Sequence, residues 1–197
     1  MSKLAIIILA AGGSRRFGQA KQLADINGVP MLQRVFDQCR EVKDVDLCVA
    51  LGANSNEIQA KIDFGKAKVF FIPEWPGGMG ATISGITSRI ADQYEGLMFI
   101  AGDQPLVRPV QLIAMIDYWR QNTDMACCAK YDAASGDHVL GIPAIFPGRL
   151  FTQLQSLQGD FGAKEILLGE ESKLLTFSIP EAKVDIDCPE DLKEIVD

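Results

Sequence analysis

Short apolar runs alternate along this chain with segments whose apolar residues recur every three or four positions. Ala5-Ile6-Ile7-Ile8-Leu9 contains no polar residue and is β-branched, which predicts a strand buried on both faces. Met31-Leu32, Val35-Phe36 and Cys39 recur at helical spacing, with Pro30 at a first-turn position. Asp46–Leu51 predicts the second strand. Asn54–Ile62 predicts a helix in which Asn54 and Glu57 are spaced as a capping box. Lys68–Ile72 predicts a third strand, followed by a glycine-rich turn and a helix over about Ala81–Ala91. Leu97–Ala101 predicts a fourth strand, Pro109–Arg120 a helix and Asp124–Lys130 another strand.

Beyond residue 131 the periodicity weakens. Asp132–Asp137 is a polar loop, Ile142–Phe146 a candidate strand and Gly148–Leu157 a candidate helix. Ala163–Leu168 is helical in pattern, Leu174–Ile179 is a strand, and Pro189–Val196 closes the chain as a helix. Repeated strand–helix units imply an α/β fold: a mostly parallel, Rossmann-like sheet with helices on both faces, three layers in all. At 197 residues the default is a single domain over 1–197, with enough chain for a sizeable core. Open sheets of this kind bind ligands at the carboxyl ends of their strands. The segment after the first strand, Gly78–Ala81 and Asp103 all fall at such ends.

Composition narrows the function classes. Apolar residues make up 48% and charged residues 23%, ordinary for a globular protein. No apolar run reaches the roughly 20 residues needed to span a bilayer. Met1–Gly13 imitates a secretory signal, but its short apolar stretch is strand-like and leads directly into a loop motif. The five cysteines are odd in number and show no C-x-x-C spacing, so neither a disulfide framework nor a zinc site is expected, and a reducing cytoplasm fits best. His138 is the only histidine, which argues against a Ser-His-Asp triad. A net charge of −7 without basic stripes argues against nucleic acid as a partner.

Against that acidic background stands a local cluster of cations. Leu9-Ala10-Ala11-Gly12-Gly13-Ser14-Arg15-Arg16-Phe17-Gly18-Gln19-Ala20-Lys21 follows the first strand. Glycines let the main chain approach a ligand, and successive amides can then converge on anionic oxygens. A Walker A loop is excluded, because Gln19 stands where lysine must follow Gly18. A dinucleotide fingerprint is excluded too: Gly12 and Gly13 are adjacent, and the second strand ends Val49-Ala50-Leu51-Gly52 without a carboxylate.

The remaining string, L-A-A-G-x-S-x-R-x-G-x-x-K-Q-L, resembles the signature of nucleotidyltransferases that couple a nucleoside triphosphate to a phosphorylated acceptor. Within them it is similar to the molybdenum cofactor cytidylyltransferases, of the MobA-like NTP transferase superfamily. Four further segments carry the resemblance in family order: Trp75-Pro76-Gly77-Gly78-Met79-Gly80-Ala81-Thr82-Ile83, Gly102-Asp103-Gln104-Pro105, Gly159-Asp160-Phe161-Gly162-Ala163-Lys164, and Val184-Asp185-Ile186-Asp187-Cys188-Pro189-Glu190-Asp191-Leu192. The chain departs from the pattern at Phe17 (for Met), Thr82 (for Ser), Lys164 (for Arg) and Cys188 (for Thr). Lys164 keeps the charge but loses bidentate geometry. No carboxylate is lost, and the loop lysine is kept.

The resemblance implies the nucleotide-diphospho-sugar transferase type of fold, and magnesium held by Asp103 and Asp187. Magnesium takes one or two carboxylates plus phosphate oxygens. Asp185, two residues from Asp187 on an extended segment, shares its face and is the fallback ligand. Lys21 and Arg16 are the candidate catalytic cations beside Asp103; Arg15 lacks a motif position and is expected in solvent. Leu9, Ala10, Ala11, Gly12, Gly13, Ser14, Arg16 and Lys21 are expected at the triphosphate, and Gly78, Gly80 and Thr82 at base and ribose. Asp160 and Lys164 are candidate acceptor contacts. The structural alternatives are a turn or helix cap at Asp103, a helix cap at Asp187 or Asp160, plain surface charges at Lys21, Arg16 and Lys164, and an ordinary strand–helix connection at Gly78, Met79, Gly80 and Thr82; Trp75 is expected to be a packing residue.

By resemblance, then, the donor is CTP, the acceptor is the terminal phosphate of molybdopterin carrying molybdenum, and pyrophosphate leaves. A molybdoenzyme receiving the product is a further implied partner. Ala10-Ala11-Gly12 favours a cytidylyl over a guanylyl enzyme, whose loop more often reads A-G-G. The competing readings are a GTP-dependent or other small-acceptor nucleotidyltransferase, and a non-catalytic module that delivers nucleotide or cofactor. Retention of both Asp103 and Asp187 argues against the last, since binding alone needs no metal pair.

Overall fold

The computed structural model describes residues 3–14, 16–132 and 138–195. Arg15 and most of the polar loop Asp132–Asp137 lie outside them. The strands in chain order are β1 Leu4–Ala10, β2 Asp25–Ile26, β3 Val29–Pro30, β4 Asp46–Leu51, β5 Lys68–Phe71, β6 Gly96–Ala101, β7 Ala126–Asp132, β8 His138–Pro147 and β9 Leu174–Ser178. The α-helices are α1 Met31–Arg40, α2 Ser55–Lys61, α3 Met79–Ile90, α4 Pro109–Trp119, α5 Phe151–Gln155 and α6 Lys164–Gly169.

Seven strands form one sheet in the order β5-β4-β1-β6-β8-β7-β9. The expected parallel core is present: β1 pairs in parallel with β4 and β6, and β4 with β5. β8 runs antiparallel to both β6 and β7, and β9 returns parallel to β7. A two-stranded hairpin, β2–β3, stands apart from the main sheet and leaves no clear periodicity in so short a stretch.

Every residue of β1 is buried, because the strand lies between two apolar layers. Leu4, Ile6 and Ile8 face a cluster with α1, α2 and α4 (Phe36, Ile58 and Trp119 among them). Ala5, Ile7 and Leu9 face α3, α5 and α6 (Ile83, Leu154 and Leu167 among them). That two-sided alternation is why the run lacks polar residues. In α1 the buried set is Met31, Leu32, Val35, Phe36 and Cys39, as the spacing requires. A third, smaller cluster joins Phe17, Ala24, Ile26, Met31 and Ile186.

Three local expectations fail. Asn54 makes no side-chain cap; it sits in the left-handed region at φ 57°, which asparagine tolerates, and turns the chain out of β4. Glu57 pairs instead with Lys61 one turn on, at 2.9 Å. The closing helix is a 3-10 stretch, Pro189–Glu194. There the Asp191 carboxylate accepts from the amides of Asp187 and Cys188, both at 2.8 Å. Pro30 also precedes α1 rather than standing in its first turn.

Candidate active site

A cavity of about 490 Å³ opens at the carboxyl ends of β1 and β6. One wall is the loop after β1, from Leu9 to Ser14 with Arg16 and Lys21. The facing wall is Trp75, Pro76, Gly78, Met79 and Thr82. Asp103, Asp160 and Asp187 close it. The structure therefore brings together nearly all the residues singled out in the sequence. Gly80 and Lys164 are not on the cavity surface, and Lys164 is exposed at the start of α6.

The loop is held from behind by a side chain that the sequence reading left without a role. Gln22 is only 3% exposed. Its amide nitrogen donates to the carbonyls of Ala10 (3.1 Å) and Gly12 (2.9 Å), and its amide oxygen accepts from the Ser14 hydroxyl (3.2 Å). Ala53 N–H donates to Ala11 O at 3.0 Å, and Ser14 Oγ accepts from Lys21 N–H at 3.1 Å. With the carbonyls so occupied, the amides of Gly12, Gly13 and Ser14 have no acceptor among the described residues. A methyl group on Gly12 would meet nothing within 4 Å. Ser14 has φ 52°, so the chain leaves the strand through a turn able to expose successive amides. The one signal in the sequence for Gln22 is its place directly after Lys21 in the quoted string; its burial, which obliges it to find partners, is decided by the fold.

Beside the loop lies the charged centre. Lys21 Nζ contacts Asp103 Oδ2 at 2.5 Å, Asp187 Oδ1 at 3.1 Å and the Ile186 carbonyl at 3.1 Å. Arg16 reaches the other oxygen of Asp187 at 3.0 Å from a largely exposed position. Burial works against the charge on Lys21, but Asp103 and then Asp187 outweigh it and hold the pKa above the ordinary lysine value. Asp103 and Asp187, which are 84 positions apart in sequence, thus converge on one cation.

Tertiary packing delivers Asp187 there. Ile186 is buried against Phe17, Ile26 and Met31, its N–H donates to Asp103 O at 3.1 Å, and Asp191 fixes the Asp187 amide from behind. Asp185 keeps exposed surface and lies off the cavity wall. The protein packed around it, and next the charge of Asp103, push its carboxyl up to about 6. Gln104, also buried, ties the end of β6 to the Ala182 carbonyl at 2.9 Å.

One ammonium touching both carboxylates shows that a single cation of modest size can bridge them. Among the described residues no group of three or more His, Cys, Asp or Glu is placed to hold a metal. The donor set is two hard carboxylates, which suits a magnesium ion that completes its shell with phosphate oxygens and water.

The second glycine motif is docked onto the fourth. Gly80 N–H donates to Gly159 O at 2.9 Å, and a side chain on Gly80 would lie 2.5 Å from the Phe161 carbonyl. Gly78, at φ 96°, starts α3 with no room for a Cβ against Asp160 and Gly159. Thr82, which lines the cavity, donates its hydroxyl to Gly78 O at 3.2 Å. Trp75, expected as a packing residue, has its half-buried ring on the cavity wall. His138 opens β8 and pairs with Asp132 at 2.7 Å. The four most buried cysteines are free and sealed in the core, and Cys188 is also free. No helix among the described residues is long and apolar enough to cross a membrane.

Residues 6–174 match the MobA-like NTP transferase domain. A 3-deoxy-manno-octulosonate cytidylyltransferase of Parabacteroides distasonis is 35% identical over 112 residues, covering 57% of this chain and 43% of the relative. A probable molybdenum cofactor guanylyltransferase of Pyrococcus horikoshii is 27% identical over 129 residues, covering 66% of this chain and 63% of the relative. The chain spans about half the length of the curated relatives it matches. Among solved structures, Rv0371c of Mycobacterium tuberculosis superposes with a TM-score of 0.85 at 23% identity, covering 99% of this chain and 97% of that one. The same protein has been solved as a complex with manganese, with a TM-score of 0.80 at 22% identity, covering 99% and 98%.

Proposed function

The chain belongs to the MobA-like NTP transferase family, and on that footing we propose that it is a divalent-metal-dependent nucleotidyltransferase. The observation that carries this reading is the convergence of Asp103 and Asp187 on the Lys21 ammonium, directly beside a loop whose Gly12–Ser14 amides have no acceptor among the described residues. Transfer joins two polyanions: an acceptor oxygen attacks the α-phosphorus of the nucleotide, that phosphorus–oxygen bond forms as the bond to pyrophosphate breaks, and charge repulsion opposes the approach. The amides from Gly12 to Ser14 cradle the triphosphate, and Lys21 and Arg16 neutralise it. Asp103 and Asp187 would hold magnesium, which when bound supplies charge neutralisation at the transferring phosphoryl group. No nucleophilic side chain is required.

For substrates, the reading is CMP transfer from CTP to the terminal phosphate of molybdopterin. Ala10-Ala11-Gly12 and the W-x-x-G-M-G and G-D-Q-P segments support it. A second reading keeps the chemistry with a small sugar-derived acceptor, and rests on the 35% identity with a sugar-acid cytidylyltransferase. Side-by-side titration with CTP and GTP identifies the donor. Mixing the protein with magnesium, α-labelled CTP and molybdopterin then tests the acceptor: label should enter a pterin dinucleotide. Pyrophosphate release without any labelled pterin removes the molybdopterin assignment, and no release with any acceptor removes the enzymatic one.

A further inference from the structure

We infer that Trp75 is the nucleobase platform of this cavity, a binding residue as well as a packing one. The inference rests on the nucleotide reading above and assigns the part of the site that phosphate chemistry leaves unexplained. Loop amides, Lys21 and the two carboxylates account for the anionic portion of a nucleotide. A planar, largely apolar base needs a different surface. Trp75 is the only aromatic residue on the cavity wall among the described residues, with Pro76 and Met79 beside it.

The ring is also fixed in place. It lies between Gly13 of the phosphate loop and Gly52, just past the end of β4. A methyl group on Gly13 would sit 3.4 Å from Trp75 Cζ3, and one on Gly52 would sit 2.5 Å from Trp75 Cγ and 2.6 Å from the Ala11 carbonyl. Gly52 therefore leaves the space that lets the indole lie against the loop. Its backbone is anchored in the 3-10 turn Trp75–Gly77, with Trp75 N–H donating to Ile72 O at 3.2 Å. The indole packs against Gly13 and Gly52, yet the side chain stays half-buried and on the cavity wall. The chain holds a contrasting example in Trp119, which is 0% exposed and donates its indole N–H to Met125 O at 2.9 Å. Base–aromatic stacking is tolerant of base identity and is lost on truncation to alanine.

The two tryptophans make the test direct. Trp119 packs beneath Gly96, at the opposite end of β6 from the cavity, roughly 20 Å along the strand. Indole fluorescence that responds to nucleotide therefore reports Trp75. CTP with magnesium should quench wild-type emission, whereas inorganic tripolyphosphate, which lacks a base, should not. Trp75→Phe should abolish the quench yet largely retain CTP affinity by calorimetry. Trp75→Ala should weaken CTP binding about tenfold or more and leave tripolyphosphate binding unchanged. Equal weakening of both ligands by Trp75→Ala, or CTP affinity unmoved by it, would overturn the assignment. Wild-type protein that binds tripolyphosphate but no nucleotide removes the nucleotide reading and the Trp75 role together, a result distinct from nucleotide binding that ignores Trp75.

Discussion

The two ends of the central strands carry the same residue types to opposite purposes. At the amino ends, Gly96 is crowded by Trp119: a methyl there would lie 2.6 Å from the ring. Tyr94 donates to Asp46 at 2.6 Å and Lys68 donates to both, at 3.0 Å and 3.3 Å. Burial, and then the Asp46 carboxylate, push the Tyr94 hydroxyl up to about 12. At the carboxyl ends a glycine, a tryptophan, a lysine and aspartates recur, but Gly12 faces open space, Trp75 faces the cavity, and Lys21 is shared between Asp103 and Asp187. The difference lies in the loop amides: those of Gly12, Gly13 and Ser14 have no acceptor among the described residues, whereas the Lys21 ammonium makes its three hydrogen bonds within the chain. That polarity matches the placement of ligands in open α/β sheets.

The contrast is open to direct tests. The largest effect belongs at the carboxyl end. Asp103→Asn should cost about 3–4 kcal/mol of transition-state stabilisation, the scale of a single electrostatic contact to developing charge. Steady-state pyrophosphate release measures it, and near-wild-type turnover would remove Asp103 from the site. Next comes a pair of identical changes at opposite ends. Gly96→Ala forces a methyl into Trp119 and should destabilise the fold by about 1–3 kcal/mol, seen as a lower urea midpoint. Gly12→Ala meets no neighbour, so its urea midpoint should stay put while nucleotide affinity falls. If both variants unfold alike, the two ends do not differ as described.

The smallest effect concerns pH. The hydrogen bond from Tyr94, and with it Lys68, holds the Asp46 carboxyl below its ordinary value. A depressed carboxylate pKa stabilises the fold above the unfolded value, near 4, and the contribution fades as pH falls through the folded value. The side chain is 43% exposed, so solvent screening limits this to a few tenths of a kcal/mol. Comparing urea midpoints of wild type and Asp46→Asn at pH 6 and pH 3 should show a small gap that closes at the acid end. A gap that widens in acid would contradict the pairing.

Some of this was legible from residue patterns alone. The apolar run of β1 and the heptad-like spacing of α1 announce their elements because burial on two faces or one stripe leaves a period in the sequence. Asp103 was legible because it follows a buried strand in a phosphate-loop chain. Gln22 was not, since a polar residue carries no label telling whether it is buried, and its role depends on three carbonyl or hydroxyl partners that only the folded loop supplies. The β2–β3 hairpin escaped because strands of two residues leave no period, and the antiparallel direction of β8 escaped because strand direction is set by pairing, not by the strand's own residues.

The amino-acid sequence by itself determined the layered α/β class, the buried strands and the chemical inventory of glycines, cations and carboxylates, because hydrophobic periodicity and residue type are local properties. Only the tertiary structure decided that Asp187 meets Asp103 across one lysine, that Gly80 serves the 158–161 turn, and that Trp75 faces a cavity while Trp119 does not. Those outcomes depend on contacts between segments far apart in the chain. Such contacts are fixed by packing, as when Ile186 is buried against Phe17, Ile26 and Met31, and leave no period behind to be read.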